Sequence, residues 1–125
     1  MKNKYHDEET IFMDGYYYTK VDLNDYEFTK TSFIAIDLHF LSVSIAKIKV
    51  ENIIKNCPSF VSEILVIHGF NNGTALKEMV AKKIKNKRIL ATEETSNEGI
   101  TRIILKDVNY VLHNDTHKPE DFTFG

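Results

Sequence analysis

The sequence predicts an α/β domain. The expected architecture is a two-layer sandwich: a mixed four-stranded sheet with two helices on one face, in the order β-α-β-α-β-β, plus an N-terminal hairpin or arm. Three observations carry this expectation. Two short apolar runs, FIAI at 33–36 and ILVI at 64–67, have the length and composition of buried strands. Each precedes a stretch whose apolar residues recur at spacings of three and four, the period of a helix face. A final run, ITRIIL at 100–105, alternates instead, with Ile100, Arg102, Ile104 and Lys106 on one face and Thr101, Ile103 and Leu105 on the other.

The elements follow in order. Residues 1–10 are polar. In TIFMDGYYYTKV, two β-prone runs flank Asp14-Gly15, a pair that favours the left-handed angles of a tight hairpin turn. Residues 23–31 are expected to be a linker. After the first buried strand, Ser42 is placed to cap a helix whose apolar stripe is Val43, Ala46, Val50, Ile53 and Ile54. That helix must stop before Pro58, because proline disfavours helical angles in the residue ahead of it. After the second strand, a helix starting near Thr74 carries Leu76, Met79, Val80 and Ile84. A third strand is expected over 88–92 and an acidic turn over 93–99. The domain limits drawn from this are 1–31 for the N-terminal extension, 32–107 for the main domain and 108–125 for the tail.

The totals narrow the function classes. The chain of 125 residues is 42% hydrophobic, enough for one core. Its one cysteine, Cys57, cannot form an intramolecular disulfide, which points to a reducing cytoplasm. MKNKYHDEET lacks the apolar core of a secretory signal, and no apolar run approaches the length of a membrane span, so no membrane partner is expected. Net charge is -2, but residues 42–90 concentrate Lys47, Lys49, Lys55, Lys77, Lys82, Lys83, Lys85, Lys87 and Arg88 against only Glu51, Glu63 and Glu78. A basic middle in an acidic chain suggests a local anionic partner; the plainer reading is a solvated helix face.

Parallel strands joined by helical crossovers place their strand-to-helix loops on one edge of the sheet. Asp37-Leu38-His39 and His68-Gly69 would meet there. In VIHGFNNGTALK, Gly69 and Gly73 bracket a short loop with Asn71, Asn72 and Thr74, and Lys77 follows. Free backbone N–H groups at the start of a helix favour an anion such as phosphate. Asp37, two residues before His39, lies on the same strand face and can orient its imidazole. Asp37, His39 and His68 would then form an acid–base set over a bound phosphate. Cleaving RNA needs a base for the 2′-hydroxyl and an acid for the leaving 5′-oxygen, and two histidines suit both roles without a metal or other cofactor. A divalent ion held by Asp37 and the histidines is the open alternative. The plainer reading is three polar residues capping a sheet edge.

These residues resemble the small MutS-related, or Smr, domain family. IDLHFLSVSIA at 36–46 carries its Asp-Leu-His core at Asp37, Leu38 and His39, with Ser42 for the family threonine and Ala46 matching its alanine. Phe40 stands where the family has glycine, and Ile45 where it has glutamate. VIHGFNNGTALK at 66–77 matches its second signature at His68, Gly69, Gly73, Leu76 and Lys77, with Asn71 at the site of the loop glycine. NEGITRIIL at 97–105 supplies Gly99 and Thr101 of a third. The similarity covers about residues 33–106. It implies a fold like the C-terminal domain of translation initiation factor three. It also implies cleavage of RNA or nicking of DNA, including mRNA cleavage at stalled ribosomes, with Asp37 and His39 tied to cleavage and His68 and Gly69 to substrate. The expected protein is therefore a nucleic-acid-binding endonuclease, RNA being favoured over DNA, with the ribosome as a further partner. The alternative is a non-catalytic nucleic-acid or ribosome-binding module, and a second is a binder or hydrolase of a small phosphorylated ligand.

Other features have competing readings. Lys77, Lys82, Lys83, Lys85, Lys87 and Arg88 could track a phosphate backbone. Tyr16, Tyr17 and Tyr18 could stack on bases, although packing on the sheet is favoured. HNDTH at 113–117 offers two histidines but no clear third metal ligand, and is taken as a polar tail. Cys57 is taken as a partly buried small residue.

Overall fold

A computed structural model of the chain describes residues 9–69 and 74–106. Strands β1 (Thr10–Met13) and β2 (Tyr16–Lys20) open the chain, followed by β3 (Phe33–Asp37), α1 (Val43–Asn56), β4 (Glu63–Ile67), α2 (Ala75–Lys82), β5 (Ile89–Glu94) and β6 (Ile100–Leu105). One six-stranded sheet runs in the order β1-β2-β3-β4-β6-β5. β2, β3 and β4 are parallel, while β1, β6 and β5 each run antiparallel to their neighbours. Among the described residues no helix is long and apolar enough to cross a membrane.

The α/β class and the strand–helix order agree with the sequence, but a four-stranded sheet understates the architecture. The hairpin is part of the sheet. Asp14 and Gly15 take φ 52° and 92° at its turn, as an Asp-Gly pair permits. β2 then joins β3 through Thr19↔Ile34 and Lys20↔Ala35, and Val21 N–H donates to Ala35 O (2.8 Å). Residues 23–31 are more than a linker: Leu23, Tyr26 and Phe28 pack against the core on the helix side. Their polar neighbours mask this in the sequence.

The helix-side core is built from β3 (Ile34, Ile36), β4 (Ile64, Val66) and β6 (Ile103, Leu105), closed by Ala46, Val50, Ile53 and Ile54 of α1 and Leu76, Met79 and Val80 of α2. Each fully buried aliphatic side chain of this kind contributes about 1.5–3 kcal/mol. Ser42 caps α1 by accepting from Ile45 N–H (3.3 Å), as its position suggests. α1 ends at Asn56, with Cys57 as its extended C-cap ahead of Pro58. Cys57 is buried, and burial pushes its thiol pKa up, against the opposing charge of Arg88.

The other face of the sheet is covered by the hairpin itself. Tyr18 is fully buried against Ala35, Leu65 and Ile100, with Ile11, Met13, Phe33 and Ile67 around them. Its hydroxyl donates to Glu63 Oε1 (2.7 Å) and accepts from Arg102 Nε (3.3 Å). The hairpin tip crosses to the β5–β6 turn, where Asp14 Oδ2 meets Arg102 Nη2 (2.9 Å) and accepts from Ser96 N–H (3.3 Å). Arg102 also reaches Glu93 (3.3 Å). Burial disfavours its charge, but the hydrogen bonds to Tyr18, Asp14 and Glu93 outweigh that and hold its pKa above the usual guanidinium value.

Candidate active site

β3 and β4 end side by side, with Asp37 paired to Ile67. Leu38 N–H donates to Ile67 O (2.8 Å), carrying the ladder one residue further before the chain turns. The turn closes when Leu41 N–H donates to Leu38 O (3.2 Å). Asp37 Oδ1 holds it from within: it accepts from His39 N–H (2.9 Å) and lies 2.7 Å from His39 Nδ1. A short polar side chain two residues back is well suited to this local bond. The third turn position is Phe40, with φ 68°. That angle normally selects glycine in such a turn.

The Asp37–His39 pair is open to solvent, with side chains 29% and 37% exposed. Asp37 Oδ2 faces Lys20 Nζ (3.6 Å), which is shared with Glu9 (3.1 Å). Glu9 is the first cause of the raised Lys20 pKa, with Asp37 adding to it. Because Nδ1 faces a carboxylate, it carries the proton in the neutral imidazole, which leaves the lone pair on Nε2. No hydrogen bond to Nε2 is formed among the described residues.

Gly69 completes the wall. It takes φ 71°, and a Cβ there would lie 2.5 Å from His39 Nε2 and 2.8 Å from Cδ2. Its N–H and that of His68 both donate to Gly99 O (2.9 Å each). Glycine is needed at 69 both for the backbone angle and for the close approach of the ring.

His68 is placed differently from the expectation of a free acid–base partner. It is 3% exposed, on the helix side of the sheet. Nε2 lies 2.9 Å from Thr101 Oγ1 and Nδ1 lies 3.2 Å from Gly69 O. A carbonyl can only accept, so Nδ1 donates to it, and Nε2 of the neutral ring accepts from the Thr101 hydroxyl. Burial lowers the His68 pKa, and the nearby charges of Lys77 and His39 lower it further, against the opposing bond to Gly69. The ring therefore pins the β4 exit to β6. Thr101 and Gly99 meet His68 and Gly69 here, so the second and third sequence signatures form one unit.

Of the remaining expected site residues, Asn71, Asn72 and Gly73 lie outside the described residues, as does HNDTH. Thr74 precedes α2 without a side-chain cap bond. Lys77 is half-buried and 4.0 Å from Glu94, while Lys82, Lys83, Lys85 and Lys87 are exposed. Arg88 corrects the expectation of a phosphate-tracking side chain. Its guanidinium turns inward to the carbonyls of Ile54, Cys57, Pro58, Val61 and Lys106. Tyr18 is likewise packed rather than presented, whereas Tyr16 and Tyr17 stay exposed.

Lys20 was missed in the sequence; its contact with Asp37 depends on β2 returning parallel to β3, which no local pattern signals. A shallow hollow of about 590 Å³ lies at the hairpin tip, lined by Phe12, Met13, Asp14, Ser96, Asn97 and Glu98. Its carboxylates make it a poor phosphate site, and no dyad residue lines it. Among the described residues, no group of three or more His, Cys, Asp or Glu side chains is arranged to hold a metal ion. No family model, no curated protein and no solved structure matches the chain.

Proposed function

We propose that the chain is a nucleic-acid-binding domain of the Smr kind that cleaves RNA, with Asp37 and His39 as its catalytic pair. The observation that carries this reading is the 2.7 Å contact of His39 Nδ1 with Asp37, in a ring that is 37% exposed. Two backbone features support the similarity to that family. Phe40 takes a positive φ at the position where the family has glycine, and Gly69 takes one at a family glycine.

In the proposed reaction, His39 Nε2 removes the proton of a ribose 2′-hydroxyl. The 2′-oxygen attacks the adjacent phosphorus, the bond to the 5′-oxygen breaks, that oxygen takes a proton from water, and the hydroxide left behind takes the proton from His39, restoring the neutral imidazole. The products are a 2′,3′-cyclic phosphate and a 5′-hydroxyl. Asp37 holds the imidazole and stabilises its charge after proton transfer. His68 and Thr101 position Gly69, against which the His39 ring rests. Lys77, Lys82 and Lys83 hold the phosphates. RNA is preferred to DNA because the substrate then brings its own nucleophile. The ribosome is a natural source of such RNA, and the lone buried Cys57 suits a reducing cytoplasm.

The rival reading is a module that binds without cutting, favoured by the single open imidazole, since His68 is buried. The test is cleavage of end-labelled single-stranded RNA, with and without chelator, by wild type and by Asp37→Ala/His39→Ala. Cleavage that survives chelator and vanishes in the variant supports the pair. Cleavage lost with chelator points to a divalent ion instead. Salt-sensitive binding by both proteins with no product makes the chain a binding module.

A further inference from the structure

We propose that the Phe40 ring is the base-stacking surface of this site, so that the ligand is an unpaired nucleotide of RNA held beside His39. This rests on the function proposed above and names the form of nucleic acid the site takes.

Phe40 combines features that make no structural sense together. Its side chain is 89% exposed, so it adds almost nothing to the core. Its φ of 68° is a conformation that L side chains rarely adopt, and a bulky residue is a true outlier there. Glycine or asparagine would make the same turn with less strain, and a polar residue would suit the exposure better. Strain without a packing gain, next to a reactive group, is typical of a functional position. The turn is also firmly held, by the Leu41–Leu38 bond and by Asp37 Oδ1, so the ring is presented from a fixed base.

The ring's position gives the ligand. Its centroid lies 5.7 Å from that of His39, with the planes inclined at 41°. It thus flanks the part-exposed His39 imidazole. A flat apolar face next to a general base suits the nucleobase attached to the ribose being deprotonated. Such stacking needs a base whose face is free, which a duplex does not offer, and it accepts any of the four bases. Single-stranded RNA with little sequence preference is the expected ligand.

The test uses the full chain and a single-stranded 2′-O-methyl RNA, which lacks the attacking hydroxyl, carrying 2-aminopurine as a fluorescent base. Wild type should bind it with fluorescence quenching. Phe40→Ala should weaken binding roughly ten-fold and lose the quench, with the salt dependence of binding unchanged. Phe40→Trp should restore both. Phe40→Gly relieves the backbone, so it should fold at least as stably as wild type while binding like Phe40→Ala. Wild-type affinity and quenching in the Ala and Gly variants would overturn the stacking role, and the dyad would still stand if those variants cut unmodified RNA. No binding of either RNA by wild type would overturn both proposals.

Discussion

The imidazole of His39 rests on the bare α-carbon of Gly69, a contact between the turn after β3 and the exit of β4. A methyl group at 69 would sit 2.5 Å from Nε2, too close to coexist with the ring. The ring is the movable partner, so Gly69→Ala should swing it away and break its 2.7 Å contact with Asp37. The φ of 71° adds strain of about 1–2 kcal/mol for a residue with a Cβ. Urea unfolding should show that modest loss, while RNA cleavage should fall far more than stability does.

Arg88 ties the end of α1 to the start of β5. Its Nη1 donates to Ile54 O (3.4 Å) and Cys57 O (2.7 Å), and its Nη2 to Pro58 O (2.6 Å) and Val61 O (3.1 Å). Truncation strands several partly buried carbonyls. Arg88→Ala should cost about 3 kcal/mol by denaturant unfolding, and Arg88→Lys should recover only part of it, since an ammonium lacks the planar fork. RNA affinity at matched folded fraction should be unchanged, unlike that of Lys82→Ala/Lys83→Ala.

The buried His68 makes stability depend on pH. Its folded pKa is depressed below the ordinary 6.5, mainly by burial. Between the folded pKa and 6.5 the unfolded chain therefore binds more protons than the folded one. The stability linked to His68 is fully present above about pH 6.5 and is lost as pH falls toward the folded value. The slope for one proton is at most about 1.4 kcal/mol per pH unit. Urea midpoints measured from pH 7.5 to 5 should fall, and His68→Gln should flatten that segment of the curve. An unchanged slope in the variant would assign the effect to another group.

Tyr18 offers a cleaner single-atom test of the hairpin. Removing its hydroxyl deletes the 2.7 Å bond to Glu63 and the 3.3 Å bond from Arg102. Tyr18→Phe should destabilise the protein by about 1–2 kcal/mol while leaving the ring in place. Thermal or urea unfolding reads it directly.

Much of the helix layer was legible because its signals are local. Ser42 announced the cap, Pro58 the stop, and Ala46, Val50, Ile53 and Ile54 the buried face. The closeness of Asp37 and His39 was legible too, but not its cause: β3 ends at Asp37, and the carboxylate meets the ring across a turn rather than along a strand face. What the sequence hid was tertiary. Tyr18 and Tyr17 are identical neighbours, yet one is fully buried and the other 66% exposed. Alternation says that they face opposite ways but not which face gains a cover. His68 looked like a partner for His39, but strand alternation placed it with Ile64 and Val66 on the helix side. Arg88 belongs to a basic run, and only the carbonyls left by the end of α1 explain why it turns inward.

The hairpin also sets an order of assembly. Tyr18 bonds across 45 residues to Glu63 and 84 to Arg102, and Asp14 across 88 to Arg102. Such pairings cost more loop-closure entropy than the contacts within 33–67, and they need β6 already in place. The strand–helix–strand unit should therefore form early and the hairpin dock last. A late-docking segment mainly controls how fast the protein comes apart. The first residues of the sheet thus act as the latch of the last ones, and loosening the hairpin, as in Tyr18→Phe, should speed unfolding more than it slows folding.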